Sequence, residues 1–427
     1  MKRGIESVQL DSLCDGITDC NHSTPSWLRE GVFIIRNFNI KDRVLDISDA
    51  YYVDEETYAQ RAKRAVPESG DIVISREAPM GEACLIPDNL KCCLGQRLVL
   101  LKPNKNKTHP HYLLNALYSH YVQQQIQRID STGSTVSNLN IPDLQGLLIP
   151  VTSLSEQIRI GNLFDTMARK LENNRVLVAK LSSFVQMLYN YWFVQFDFPN
   201  EEGKPYRASG GKMAYNEILQ YEIPKGWKVG TLSSLGTIVG GGTPDTKTDK
   251  FYCAEGIAWI TPKDLSDRRS NYISHGYRDI TELGLSKSSA ALMPEGTVLM
   301  SSRAPIGLVA IATNDVSTNQ GFKSIIPFEN YSSEYIAQVI KTQLPSIISK
   351  GGGTTFKEVS KDNLETFTVV IPSTETMRSY NVIAKSVGNY IRNTEAENQE
   401  LISLRDWLLP LLMNGQVLIE STRGNNG

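Results

Sequence analysis

Two glycine-rich stretches, VGGGTPDTK (residues 239–247) and KGGGTT (residues 350–355), have the composition of a phosphate cradle. Backbone N–H groups unobstructed by side chains can close on a phosphate at a turn or a helix start. The same glycines serve equally as plain turns. No GxxxxGK[ST] run occurs, and GGKM at Gly210 fails at its last position, so a nucleotide P-loop does not fit. Nuclease chemistry needs clustered carboxylates and a lysine around a divalent metal, yet neither Pro244-Asp245 nor Pro142-Asp143 is followed by a well-placed acidic-x-Lys. An amino-methyltransferase would need an Asp/Asn-Pro-Pro-aromatic loop, and the chain has no Pro-Pro. The five histidines are scattered, with HPH at His109 opening a helix. Cys14, Cys20 and His22 lack a fourth ligand at regular spacing, so no metal is expected in this chain. No catalytic residue is assigned.

The elements that could position any site are bounded first by composition. At 427 residues the chain is too long for one ordinary core. Formal net charge is −2 and no segment is bulk-basic, which excludes binding through overall charge but not through a focused face. Six cysteines without a CxxC pair read as reduced core thiols. The opening MKRGIESVQLDSL has no apolar core of signal-peptide length and no stretch is apolar enough to span a bilayer, so a cytoplasmic protein without membrane contact is expected.

One corner is written twice. GTVLMSSRAPIGLVAIA (residues 296–312) has a looser copy in GDIVISREAPMGEACLI (residues 70–86); an offset of 226 pairs Gly70 with Gly296, Ser75 with Ser301, Pro79 with Pro305 and Gly81 with Gly307. The match extends outward. LDSLCDG at Leu10 resembles LSSLGTI at Leu232, GVFIIRNF at Gly31 resembles GIAWITPK at Gly256, and GQRLVLLKP resembles QGFKSIIP. STGSTVSNL at Ser131 resembles GGGTTFKEV at Gly351, and LLIP ending at Pro150 resembles VVIP ending at Pro372. The offset drifts between about 220 and 226, as loop insertions in a duplicated module would leave.

Each copy opens on a mixed α+β region, with short apolar runs such as residues 72–75 and 98–102 and helical patches near 55–62 and 112–127. After Pro150 and Pro372 the pattern turns helical for roughly forty residues. Leu163, Met167, Leu171, Asn174, Val178, Leu181, Val185, Leu188 and Trp192 recur at spacings of four and three, a heptad-like seam holding one polar Asn. Val387, Ile391, Thr394, Asn398 and Leu401 repeat the pattern, continuing through Leu404 and Leu408. A helix of that length runs roughly 60 Å and needs something along its stripe; the simplest partner is the other helix. Chain order then makes the pair antiparallel, with one globule at each end. The expected fold is α+β: two similar mixed α/β domains separated by two long antiparallel coiled-coil helices, a dumbbell with a pseudo-twofold internal repeat. Its boundaries are domain 1 at 1–150, helix 1 at 151–196, a Gly/Pro/Ser-rich linker at 197–221, domain 2 at 222–372, helix 2 at 373–414 and a tail at 415–427.

FDFPNEEGKPYRASGGKM followed by EIPKGWKVGTLSSL, then GGGTP and GIAWITPKDL, SSRAPIG, NQGF and the closing LRDWLLPLLMNGQV occur here in order. With the duplicated globule-plus-helix plan, they make the chain resemble the specificity subunits of type I restriction-modification systems over its full length. The resemblance implies two target recognition domains, each binding one half of a split double-stranded DNA sequence, and helices that space them and dock the partner subunits. It implies two methyltransferase (modification) subunits that methylate adenine with S-adenosylmethionine, and restriction/translocase subunits that use ATP and Mg. The chain itself would carry no cofactor and no catalysis. The first half departs from the pattern: SREAPMG places Arg76 one position before the place of Arg303, and LGQR stands where NQGF stands later.

Base reading needs bidentate donors and acceptors, so Arg and Gln on turns beside strands are the candidates. They are Arg303 and Gln320 in the second half, with Lys247, Lys250 and Lys263 as phosphate partners, and Arg36, Arg76 and Gln96 in the first. A motif shared by both halves cannot alone distinguish two half-sites, so Arg303 has phosphate contact or bracing of the turn as its other reading. Tyr189, Trp192 and Phe193 end one helix and Trp407 the other; they serve either partner docking or packing of helix on globule. Two rival functions use the same chain, a coiled-coil adaptor spacing two protein-binding domains and a divergent nuclease. Salt-dependent duplex binding separates the first, and metal-dependent cleavage by the chain alone would mark the second.

Overall fold

Fully apolar runs set the first sheet. Ile72, Val73, Ile74, Leu98, Val99 and Leu101 are all inaccessible to solvent; with both faces covered, the strands lose the alternation of a half-exposed sheet. In the computed structural model, Cys14–Asp19, Leu98–Pro103, Ile72–Ser75 and Ala83–Leu85 form an antiparallel sheet in that order. Gly236–Gly240, Lys323–Pro327, Val298–Met300 and Val309–Ala312 repeat that order, and Tyr272–Ile273 adds a fifth strand parallel to the last. A smaller sheet is also repeated. Val32–Ile35 runs parallel to Cys92–Leu94, as Ala258–Ile260 does to Val316–Thr318. Each module is closed by a strand pair at its ends, Glu6–Gln9 with Leu148–Val151 and Lys228–Thr231 with Thr368–Ile371.

The structure describes residues 5–131, 138–350 and 358–419. Residues 132–137 and 351–357, which carry the repeated Ser/Thr/Gly sequence and the KGGGTT glycines, and those beyond 419 lie outside them. Two compact units divide the chain: Met1–Asn173 with Gln399–Gly427, and Asn174–Asn398. The divisions fall inside the long helices, Leu154–Tyr189 and Thr374–Met413, rather than at their ends. Each helix end is held by the core of its own unit. In the first unit, Ile160, Phe164 and Met167 share a core with Leu409, Leu412 and Met413. In the second, Tyr189, Trp192 and Phe193 share one with Met377, Tyr380 and Ala384. Asn174, the polar residue of the seam, is buried and donates from Nδ2 to Asn398 Oδ1 and Glu397 Oε2, both at 2.8 Å. Among the described residues no helix is long and apolar enough to cross a membrane.

Two local differences from the sequence reading have plain causes. The patch at 112–127 is two helices, Pro110–Leu117 and His120–Ser131; the Ser119 hydroxyl donates to the Ala116 carbonyl at 2.6 Å and accepts from the Val122 amide, ending one helix and starting the next. The segment expected as a linker is folded. Phe198 stacks on Tyr206 at 4.6 Å and on Trp227 at 5.0 Å, and Met213–Asn216 pairs with Tyr221–Pro224 as a hairpin. Composition signalled a linker, but its aromatic anchors override it.

The duplicated corner is the same structure twice. Ser75 Oγ donates to the Pro79 carbonyl and Ser301 Oγ to the Pro305 carbonyl, each at 2.6 Å, while the amides of Glu82 and Leu308 donate back to those hydroxyls at 3.0 and 2.9 Å. Gly81 and Gly307 complete the turns at φ +86° and +90°, where a Cβ is disfavoured. Both serines are fully buried. Ser75→Ala and Ser301→Ala each remove the two hydrogen bonds made by a buried hydroxyl and are expected to cost about 1–3 kcal/mol, measured by urea unfolding. Trp192→Ala, opening the second unit's aromatic core, is expected to cost about 3–5 kcal/mol by the same measurement.

Candidate nucleic-acid interface

Strand ends place the candidate residues on one loop cluster in each unit. In the second unit the Asn319 amide donates to the Ile260 carbonyl at 3.0 Å and the Ser302 amide to the Gly321 carbonyl at 2.7 Å. Gln320 lies between those two anchors, so it is flanked by the loops carrying Lys263 and Arg303. The Gly242 amide donates to the Thr318 carbonyl at 2.8 Å and Thr243 Oγ1 donates to Gln320 Oε1, which brings in the GGGTP turn. Lys263 is exposed in the first turn of Pro262–Arg268, a helix started by Asp264 accepting from the Thr261 amide at 2.7 Å. Lys247 and Lys250 are exposed on the adjoining segment, tied down where Tyr252 Oη donates to the Pro244 carbonyl at 2.8 Å. There the Lys247 amide and the Thr248 hydroxyl hold the Asp245 carboxyl below its usual range.

The first unit repeats the frame with other side chains. The Gly95 amide donates to the Ile35 carbonyl at 2.7 Å and the Arg76 amide to the Arg97 carbonyl at 2.8 Å, which brackets Gln96 as Gln320 is bracketed. Gln96 Nε2 donates to Thr24 Oγ1 at 2.9 Å and to the His22 carbonyl. Arg36 follows directly on the strand Val32–Ile35, its guanidinium lying over the rings of Trp27, Phe38 and Tyr51.

Not every candidate faces outward. Arg76 is 9% exposed and spends its fork inside the chain: Nη1 donates to both Asp19 oxygens at 2.9 and 2.8 Å, Nε to the Leu139 carbonyl at 3.0 Å and Nη2 to Asn138 Oδ1 at 3.1 Å. In this structure it braces the corner and presents no free edge to a base. Arg303 is half exposed and pairs through Nε with Glu358 at 3.1 Å. Tyr189, Trp192 and Phe193 are likewise consumed by packing. Phe193 meets Tyr335 at 5.0 Å and Tyr380 at 4.9 Å edge to face, and Trp192 meets Tyr380 at 5.8 Å. Of the two readings given to these rings, packing of helix on globule is the one that their burial matches. Trp407 is 63% exposed. Sequence reasoning missed Asp19, Glu358, the three rings around Arg36, and Arg278, which lies over Tyr252. Trp27 in STPSWLRE and Tyr277-Arg278 in HGYRDI carried an aromatic-basic signal, but nothing in the spacing tied them to the strand ends.

Burial raises the thiols of Cys92, to about 12, and Cys93, to about 11. Among the described residues no group of three or more His, Cys, Asp or Glu side chains could hold a metal ion.

A mixed α/β module is built twice, with Arg and Gln side chains at the strand ends of both copies and lysines among them in the second. The family model for the type I restriction modification DNA specificity domain matches residues 36–181 and 224–405, most of the chain and both copies, and the chain belongs to that family. It is 40% identical over 182 residues to the type I restriction enzyme MjaIX specificity subunit of Methanocaldococcus jannaschii, a match covering 42% of each chain. It is 23% identical over 409 residues to the HindI specificity subunit of Haemophilus influenzae, covering 84% of this chain and 88% of that one. The crystal structure of the type I restriction-modification S subunit from M. genitalium superposes with a TM-score of 0.56 at 17% identity, over 99% of this chain and 98% of the other, and shares the fold.

Arg76→Ala is expected to destabilise the first unit by about 1.5–3 kcal/mol, because its bonds reach a carboxylate and a buried carbonyl. Trp407→Ala, at an exposed position, is expected to stay within about 0.5 kcal/mol of the parent. Thermal unfolding of the two variants side by side checks the contrast.

Proposed function

We propose that this chain is the DNA-recognition subunit of a type I restriction-modification complex and reads a bipartite duplex target, one half with each unit. The observation that carries the reading is that the bonds of the serine corner and of the loop holding Gln96 or Gln320 recur in both units while most of the side chains around them differ. A constant scaffold with variable readers is what two different half-sequences require. Arg303, Gln320, Lys247, Lys250 and Lys263 serve the half read by the second unit, and Arg36 and Gln96 the half read by the first, with lysines gripping phosphate.

In the same reading the two long helices run antiparallel as a coiled coil. The buried hydrogen bond from Asn174 to Asn398 supports it, since one polar pair in an apolar seam fixes register. Trp407, with Leu404 exposed one turn before it, supports docking of methyltransferase and restriction subunits on the helix surface. Adenine methylation and ATP-driven cleavage belong to those partners, which bring S-adenosylmethionine, ATP and Mg. Exchange of residues 222–372 for the equivalent region of a relative, followed by co-expression with the modification subunit and sequencing of methylated adenines, tests the reading. One half of the methylated sequence is expected to change and the other to persist; a change in both halves overturns it.

A further inference from the structure

We infer that Arg36 in the first unit and Arg278 in the second each read a guanine, held against aromatic rings at the same station of the duplicated module. The inference rests on the DNA-recognition reading above and assigns it two specificity residues, one of which no sequence motif marks.

Backbone registers establish the shared station. Ile35 and Ile260 are equivalent because their carbonyls accept from Gly95 and Asn319, so Val32 corresponds to Ile257. Val32 lies opposite Val53 and Ile257 is bridged to Ile280, which makes Tyr51 the counterpart of Arg278. Leu28 is bridged to Tyr52 and Cys253 lies opposite Asp279, which makes Trp27 the counterpart of Tyr252. In the first unit the Arg36 guanidinium carbon is 4.6 Å from the Trp27 ring centre, 4.4 Å from Phe38 and 4.9 Å from Tyr51. In the second the Arg278 guanidinium is 3.7 Å from Tyr252 and 5.8 Å from Trp259. One ring, Trp27 or Tyr252, keeps its place while the others differ and the arginine comes from a strand end in one unit and from the neighbouring strand in the other. Thr261 stands where Arg36 would be and Tyr51 where Arg278 would be, so the fold needs neither arginine at its position.

The two guanidiniums also share a chemical state. Among the described residues neither donates a hydrogen bond or joins an ion pair, whereas Arg76 is bonded to Asp19, Arg303 to Glu358 and Arg43, which lies over Tyr118, to Asp406. Aromatic rings lie within 6 Å of each guanidinium carbon, and among the described residues no protein group takes up its N–H donors. The N–H edge of the fork matches the paired acceptors O6 and N7 of guanine in the major groove. Rings packed beside the guanidinium also restrict the fork before binding, which lowers the entropy lost on contact. Trp27 and Tyr51 are each more than one third exposed, and Tyr277 beside Arg278 is almost fully so, so a duplex can approach both stations.

The test is selection from a randomised duplex library by the chain assembled with its modification subunits, parent against Arg36→Gln, Arg36→Lys, Arg278→Gln and Arg278→Lys. Each substitution is expected to lose roughly 10- to 100-fold of discrimination at one G·C position in one half-site and to leave the other half-site unchanged. Lysine should not rescue, because an ammonium keeps the charge but lacks the fork. Trp27→Leu, which keeps Arg36 and removes a ring, should weaken the same position; a folding defect would instead weaken the whole half-site. Uniform weakening with a salt slope reduced by about one and restored by lysine would mean phosphate contact and overturn the inference, as would variants with unchanged preferences. A parent that enriches no split sequence would instead defeat the DNA-recognition reading itself.

Discussion

The buried hydroxyl of Ser301, giving one hydrogen bond across its turn and taking another, decides how the strands Val298–Met300 and Val309–Ala312 turn into each other. Everything at that end of the sheet is referred to this corner. The next residue, Ser302, spends its amide on Gly321 and its carbonyl on Val359, which locks the Gln320 loop and the segment carrying Glu358 against it. Ser75 does the same for the first unit, where the Arg76 amide and carbonyl bond to Arg97 and Leu139. A polar group this deeply buried is tolerated because both of its bonding directions are filled.

With the backbone settled by the same bonds, side chains at the loop end are free to differ, and they differ in sign. Arg76 stands at the place of Ser302, so Glu77 stands at the place of Arg303. In the first unit Glu77 pairs with Arg97 at 3.3 Å, and in the second Arg303 pairs with Glu358 at 3.1 Å. The equivalent position of each corner joins an ion pair, as the acid in one unit and as the base in the other. Such half-exposed pairs contribute little to stability, which leaves them open to variation without loss of the fold.

The long helix Thr374–Met413 is tied to the module of each unit by polar contacts as well as apolar ones. In the second unit Glu395 accepts from the Ser270 hydroxyl at 2.6 Å and from the amides of Asn271 and Tyr272 at 3.0 Å, and Arg392 pairs with Glu295 at 2.6 Å. In the first, Arg405 pairs with Asp42 at 2.8 Å and Arg43 with Asp406 at 3.0 Å. Apolar packing alone would let a helix slide or rotate over a globule, whereas directional bonds to backbone amides admit one setting.

Repetition, the apolar runs and the heptad-like stripes were legible in the amino-acid sequence because they are periodic and local: strand Ile72–Ser75, helix Glu55–Ala62 and the polar position at Asn174 follow from spacing. The Ser-x-x-x-Pro corner was legible as a motif because its bonds join residues four apart. Tertiary structure alone decided which side chains remain available. Arg76 and Arg303 look alike in sequence, but one is closed off by Asp19, 57 positions away, and the other is half exposed beside Glu358. Arg278 could not be matched to Tyr51, nor Tyr252 to Trp27, until strand register set them at one station, because pairing between strands brings together residues whose separation in sequence carries no period.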